Sequence, residues 1–116
     1  MRLSALAVLA PIFALAAADY MVINTVCTVS SCNNLDGSWH SAYGTNYVDG
    51  TGGCQDPPYV PGMYELCIDW SRNRAHFYFD GQGKRCLVQT EYAYDPNCPS
   101  NWSCYRSVWS EVGCSW

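Results

Sequence analysis

The chain lacks strong helix signals, internal repeats, low-complexity tracts and runs of like charge, which leaves one predominantly β-structured domain as the reading. It lacks Cys-x-x-Cys as well: the closest pairs are Cys27 with Cys32 and Cys98 with Cys104. A zinc ribbon or finger is therefore excluded, and no metal or cofactor is expected. No G-x-S-x-G, H-E-x-x-H or phosphate-binding loop occurs, so no motif names a nucleophile, a zinc site or a nucleotide pocket. Basic residues are few, six Lys and Arg against ten Asp and Glu. Such a surface does not recruit nucleic acid or anionic membranes by charge. Asp49 and Asp56 stand near several glycines but not at the spacing of a calcium loop.

What is present begins with Arg2, an apolar run from Leu3 to Leu15 broken by Ser4 and Pro11, and then Ala16-Ala17-Ala18. That is the order of a secretory signal peptide, basic then apolar then small. Residues 1–18 are expected to be the leader, with cleavage before Asp19. The apolar run is short of the ~20 residues a bilayer span needs and no stop-transfer charge follows it, so no membrane association is expected after cleavage. The expected mature domain, residues 19–116, is secreted and extracellular. Loss of Arg2 leaves five Lys and Arg against the ten Asp and Glu, a net charge of −5.

All eight cysteines, Cys27, Cys32, Cys54, Cys67, Cys86, Cys98, Cys104 and Cys114, fall in that domain, and export favours their oxidation into four bridges. Each bridge is worth ~2 to 4 kcal/mol by constraining the unfolded chain, a large share of the marginal stability of so small a domain. Eight cysteines allow on the order of a hundred pairings, and spacing alone does not choose among them.

Tyr20 to Val29 is rich in β-branched residues and predicts a first strand. Asn33 to Gly53, with Asn33-Asn34, Asp36-Gly37 and Asp49-Gly50, predicts turns around a short aromatic stretch at Trp39 to Tyr47. Pro57, Pro58 and Pro61 predict an extended connection. Met63 to Tyr94 predicts a three-stranded meander, Tyr64–Trp70, Ala75–Asp80 and Lys84–Tyr94, with Gly81-Gln82-Gly83 in the second turn. Simple hairpin register sets Trp70 opposite Ala75 and Asp80 opposite Lys84. One face then carries Tyr64, Leu66, Ile68, Trp70, Ala75, Phe77, Phe79 and Leu87 as the core. The other carries Glu65, Cys67, Asp69, His76, Tyr78 and Cys86. Cys67 and Cys86 flank the middle strand, so at ~4.8 Å per strand they stand ~10 Å apart, beyond the ~7 Å reach of a disulfide. Each must bond outside the meander. The expected fold is all-β, a small disulfide-stapled antiparallel sandwich or open barrel with that meander at its centre and long loops, and Cys104 to Trp116 as a last strand or cover.

In this register Asp69 faces His76, with Glu65 and Tyr78 beside them. A carboxylate orienting a histidine next to a second carboxylate is the minimum for general acid and base work, against the plainer reading of a cross-strand ion pair. His40 can join such a site only through the fold. His40, Glu65, Arg74 and His76 resemble in residue type those of fungal guanyl-specific ribonucleases, but none of that family's local motifs surrounds them. The balance of the sequence is against an enzyme. Five Trp and nine Tyr supply either an aromatic core or stacking platforms for ligands. Trp39, Trp102 and Trp116 are the candidates for exposed binding rings. Asn101-Trp102-Ser103 is a glycosylation sequon, and Lys84-Arg85 a dibasic pair expected to be structural.

The leader, the size, the spaced cysteines and the aromatic content together resemble the small secreted cysteine-rich proteins of filamentous fungi, an effector-candidate class. Hydrophobins share the cysteine number but carry adjacent Cys-Cys pairs, absent here. The resemblance implies a secreted effector or elicitor acting through contacts with a host or microbial protein or glycan. A small secreted hydrolase of ribonuclease type and an antimicrobial or killer-type toxin are the alternatives.

Overall fold

The computed structural model describes residues 18–99 and 101–116. The expected leader lies outside these apart from Ala18. Eight strands follow in chain order: β1 Tyr20–Cys27, β2 Cys32–Ser41, β3 Gly44–Asp49, β4 Gly53–Gln55, β5 Met63–Asp69, β6 Arg74–Phe79, β7 Arg85–Asp95 and β8 Ser103–Val112. All pair antiparallel in one sheet of order β3-β2-β1-β8-β7-β6-β5-β4. The fold is all-β and curls into a half-barrel stapled by four disulfides.

The curl follows from connectivity. The two edge strands, β3 and β4, are consecutive in the chain and separated only by Gly50, Thr51 and Gly52. Three residues reach across at most ~14 Å, so a flat eight-stranded sheet is impossible and the edges must turn toward each other. At the seam the Gln55 side-chain amide donates to the Asp49 carbonyl at 2.7 Å, and the Trp70 indole donates to the Gly50 carbonyl at 2.9 Å. A Cβ on Gly50 would stand 2.5 Å from Ile23 Cγ2, so only glycine lets the linker lie this close to β1.

Curling brings β2 over β6. Trp39 packs edge-on against Phe77 with centroids 4.6 Å apart, and Trp109 against Trp70 at 4.9 Å. Around them Met21, Ile23, Val48, Val60, Met63, Leu66, Ile68, Ala75 and Leu87 complete the core. The buried indoles keep hydrogen bonds, Trp39 to Asp19 Oδ2 and Trp109 to Ser107 Oγ, and among the described residues no buried side-chain polar atom lacks a partner. Interlocked rings are the largest side chains of this core, and the smaller apolar residues fill the space around them.

The three-stranded meander is present, and its core face matches the alternation at Leu66, Ile68, Ala75, Phe77 and Leu87. Its register differs. A 3-10 turn at Trp70–Arg72, closed by Asn73 at φ 54°, starts the connection at Trp70, one residue earlier than the simple hairpin places it. Asp69 therefore pairs with Arg74, and His76 stands between Cys67 and Cys86. The slip is two residues at each hairpin, which preserves the faces and changes every partner. A bulge between Met63 and Glu65 turns Tyr64 outward, half exposed, and seats Met63 in the core instead.

Asn33 to Gly53 also departs from expectation. It forms β2 and β3, not turns. Its Asn, Asp and Ser residues serve as polar strand positions, and Gly37 is there for close packing, since a Cβ would meet Val48 Cγ2 at 2.8 Å. Tertiary pairing with β1 overrides local turn preference.

Candidate functional site

The bridges are Cys27–Cys32, Cys54–Cys67, Cys86–Cys114 and Cys98–Cys104, with no free cysteine. Cys67 and Cys86 thus each bond outside the meander. Four disulfides in so small a domain fit an oxidising, extracellular setting. No helix among the described residues is long and apolar enough to cross a membrane.

The expected direct pairing of Asp69 with His76 does not form, since Asp69 stands opposite Arg74. Asp69 accepts hydrogen bonds from Ser71 Oγ at 2.7 Å and Arg72 Nη1 at 3.3 Å, within its own turn. The Ser71 bond foremost holds its carboxyl below the usual range. His76 lies on the outer face in a hollow of about 420 Å³ shared with Asp69, Cys54, Cys67, Arg74 and Trp116. Burial first, then the Lys84 charge, pushes its imidazole pKa down, with Glu65 opposing. His40 is elsewhere, stacked on Tyr20 at 4.4 Å and bonded to Ser38 Oγ and Thr45 Oγ1. Two histidines therefore do not meet, and the Asp69 pairing fails because the turn shifts the register. Glu65 stands beside Cys54 and Cys67, the one cluster of potential metal ligands among the described residues, but those sulfurs are bonded to each other.

The candidate rings divide. Trp39 is wholly buried in the core, contrary to expectation, because β2 faces inward. Trp116 is partly buried, with the Arg74 guanidinium 4.9 Å above its ring and its main-chain oxygen accepting from Lys84 Nζ. Trp102 is exposed, and Asn101 beside it is exposed also. Both lie at the end of the sheet where β8 begins.

That end carries an aromatic group that sequence reasoning passed over. β7 pairs with β6 only through Val88, yet runs on beside β8 to Asp95. A bulge between Gln89 and Glu91 resets the alternation. Tyr92 then sits opposite Ser107 and Tyr94 opposite Tyr105, on the inward face that Ser107 and Trp109 share. No β6 residue lies alongside to cover them. Tyr92 and Tyr105 stack with centroids 5.2 Å apart and planes 11° apart, and Tyr94 meets Tyr105 edge-on at 5.9 Å. Tyr92 remains 51% and Tyr94 60% exposed. Thr25, opposite Tyr105, donates to Asn34 Oδ1 at 2.8 Å. The disulfides Cys27–Cys32 and Cys98–Cys104 close the two hairpins that form this ribbon. The signal available in the sequence was the Tyr92-x-Tyr94 alternation facing Tyr105, which reads equally well as core.

At the opposite end a hollow of about 800 Å³ opens between Tyr43, Val60, Phe79 and Val112. Its floor is ionic. Arg85 donates to both Glu111 oxygens, Nε to Oε2 at 2.7 Å and Nη2 to Oε1 at 2.8 Å. The same guanidinium lies 3.6 Å from Asp19 Oδ2 and over Phe77 at 4.9 Å. This occupies the dibasic pair's second residue. Burial pushes the Asp19 carboxyl up, while the Trp39 bond and Arg85 oppose. Comparison with known proteins finds no family model, curated protein or solved structure that matches the chain.

Proposed function

We propose that this chain is a secreted interaction protein, an effector or elicitor of the kind found among small cysteine-rich fungal proteins, that grips a glycan on Tyr92, Tyr94 and Tyr105. The observation that carries the reading is that stacked, half-exposed tyrosine group on an uncovered concave sheet face. Broad rings of low conformational entropy with phenolic hydroxyls at their rims offer apolar faces to sugar C–H groups and hydrogen bonds to their hydroxyls. Acidic net charge disfavours a phosphate-rich ligand. A catalytic reading has less support, because Asp69 is bonded within its own turn, not to His76, and His40 lies elsewhere on Tyr20, Ser38 and Thr45.

The test is a panel of fungal and plant cell-wall glycans, proteins from plant extract and RNA, probed with oxidised protein and with the Tyr92→Ala, Tyr105→Ala double variant. The expected result is glycan binding that falls at least tenfold in the variant with the melting curve intact. A protein partner lost in the same variant would keep the site and replace the ligand. Cleavage of RNA that disappears with His76→Ala would overturn the reading.

A further inference from the structure

The nitrogen of Asp19 donates to Glu111 Oε1 at 2.9 Å, and the Glu111 N–H donates back to the Asp19 carbonyl at 3.2 Å. Here two carboxylates share one guanidinium. The Asp19, Glu111 and Arg85 side chains are only 7%, 17% and 23% exposed, and among the described residues Tyr43 is the one other titratable group lining the hollow. While the chain continues into Ala18 that nitrogen is a neutral amide, and the floor carries one negative charge in excess. Uncompensated charge in a partly desolvated site is costly. The Asp19 nitrogen is the one place where a positive charge can appear without a new side chain.

We infer that cleavage of the Ala18–Asp19 bond is a structural step as well as a release from export: the freed α-ammonium of Asp19 pairs with Glu111 and neutralises the Arg85, Glu111 and Asp19 cluster. In the hydrolysis, water adds across the peptide bond, Ala18 leaves with a carboxylate and Asp19 keeps the amine, which takes up a proton at neutral pH because an ordinary α-amino group titrates near ~7.7 to 8.0. Ala18 also lines the hollow, so the same cut widens it. The inference rests on the leader reading and is independent of the glycan reading. Its sign with pH is fixed. An α-ammonium that gains a carboxylate partner titrates higher in the folded than in the unfolded chain. The contribution is therefore complete below the unfolded value and lost as pH rises through the folded one.

The experiment compares oxidised protein beginning at Asp19 with protein carrying Gly-Ser before Asp19, each also as Glu111→Gln, alongside N-terminal sequencing of the chain secreted from a eukaryotic host. Expected are a secreted chain starting at Asp19 and a melting temperature about 4 to 8 °C lower for the extended form at pH 7. The gap should close at pH 10 and in Glu111→Gln. Should Glu111→Gln fail to fold, the pH series on the two wild-type forms decides alone. A different first residue would sink the cleavage site, whereas equal melting of the two forms at pH 7 would sink the ion pair with the leader reading untouched.

Discussion

At one end of the sheet β5 and β6 lie across from β1 and β2, and Trp39, Phe77, Leu87 and Trp109 are wholly buried between them. At the other, β7 runs on from Gln89 to Asp95 beside β8 alone, and Tyr92, Tyr94 and Tyr105 occupy the same inward positions without a roof. The alternation of side chains is the same in both regions. What differs is whether β6 continues alongside β7. Inward-facing aromatics thus stabilise the chain where the meander covers them and remain free for a ligand where it stops.

The largest expected effect separates the two ends directly. Trp109→Ala should cost ~3 to 5 kcal/mol by opening a cavity in the covered half, while Tyr105→Ala, in the uncovered half, should cost less than ~1 kcal/mol. Urea unfolding of both variants measures this, and comparable losses would erase the distinction. Next come the bridges. Replacing Cys86 and Cys114 by Ser removes a cross-link between residues 28 apart, and replacing Cys98 and Cys104 removes one between residues 6 apart. Chain entropy assigns these about 3.5 and about 2 kcal/mol. The ordering should appear in thermal melts, and a reversal would mean that the uncovered ribbon contributes more to the fold than its exposure implies.

The smallest effect concerns pH. The folded imidazole of His76 titrates below its ordinary value, chiefly through burial and then Lys84. The unfolded chain therefore binds the proton more readily, and stability present above about pH 6.5 declines as pH falls toward the folded value. Against His76→Gln, wild type should lose stability between pH 7 and 5, and parallel curves for the two proteins would show that His76 is not the group responsible.

Much of the covered half was legible in the sequence. Period-two alternation from Leu66 to Leu87 located the meander and its core face, and strand spacing kept Cys67 and Cys86 apart. The register was not legible, because Asp69 to Arg74 gives no sign of where its turn begins, and with the register went the supposed Asp69 and His76 pair. β2 and β3 were missed because Asn, Asp and Gly carry turn signals that pairing with β1 overrides. The tyrosine face was missed for a different reason: alternation reports which side a ring takes, while its exposure depends on where β6 ends. Asp19, Arg85 and Glu111 come from three distant parts of the chain, and only the closed sheet brings their charges together.

The linker Gly50-Thr51-Gly52 has one more consequence. Of the four disulfides, Cys27–Cys32 lies wholly before it and the other three wholly after it. No covalent bridge spans the linker. A single backbone cut there would divide the oxidised molecule into two separately cross-linked fragments, one bearing β1 to β3 and the other β4 to β8, held together by the β1–β8 ladder, the shared aromatic core and non-covalent contacts such as those of Asp19 with Arg85 and Glu111. In covalent terms the barrel is two closed pieces on one short tether.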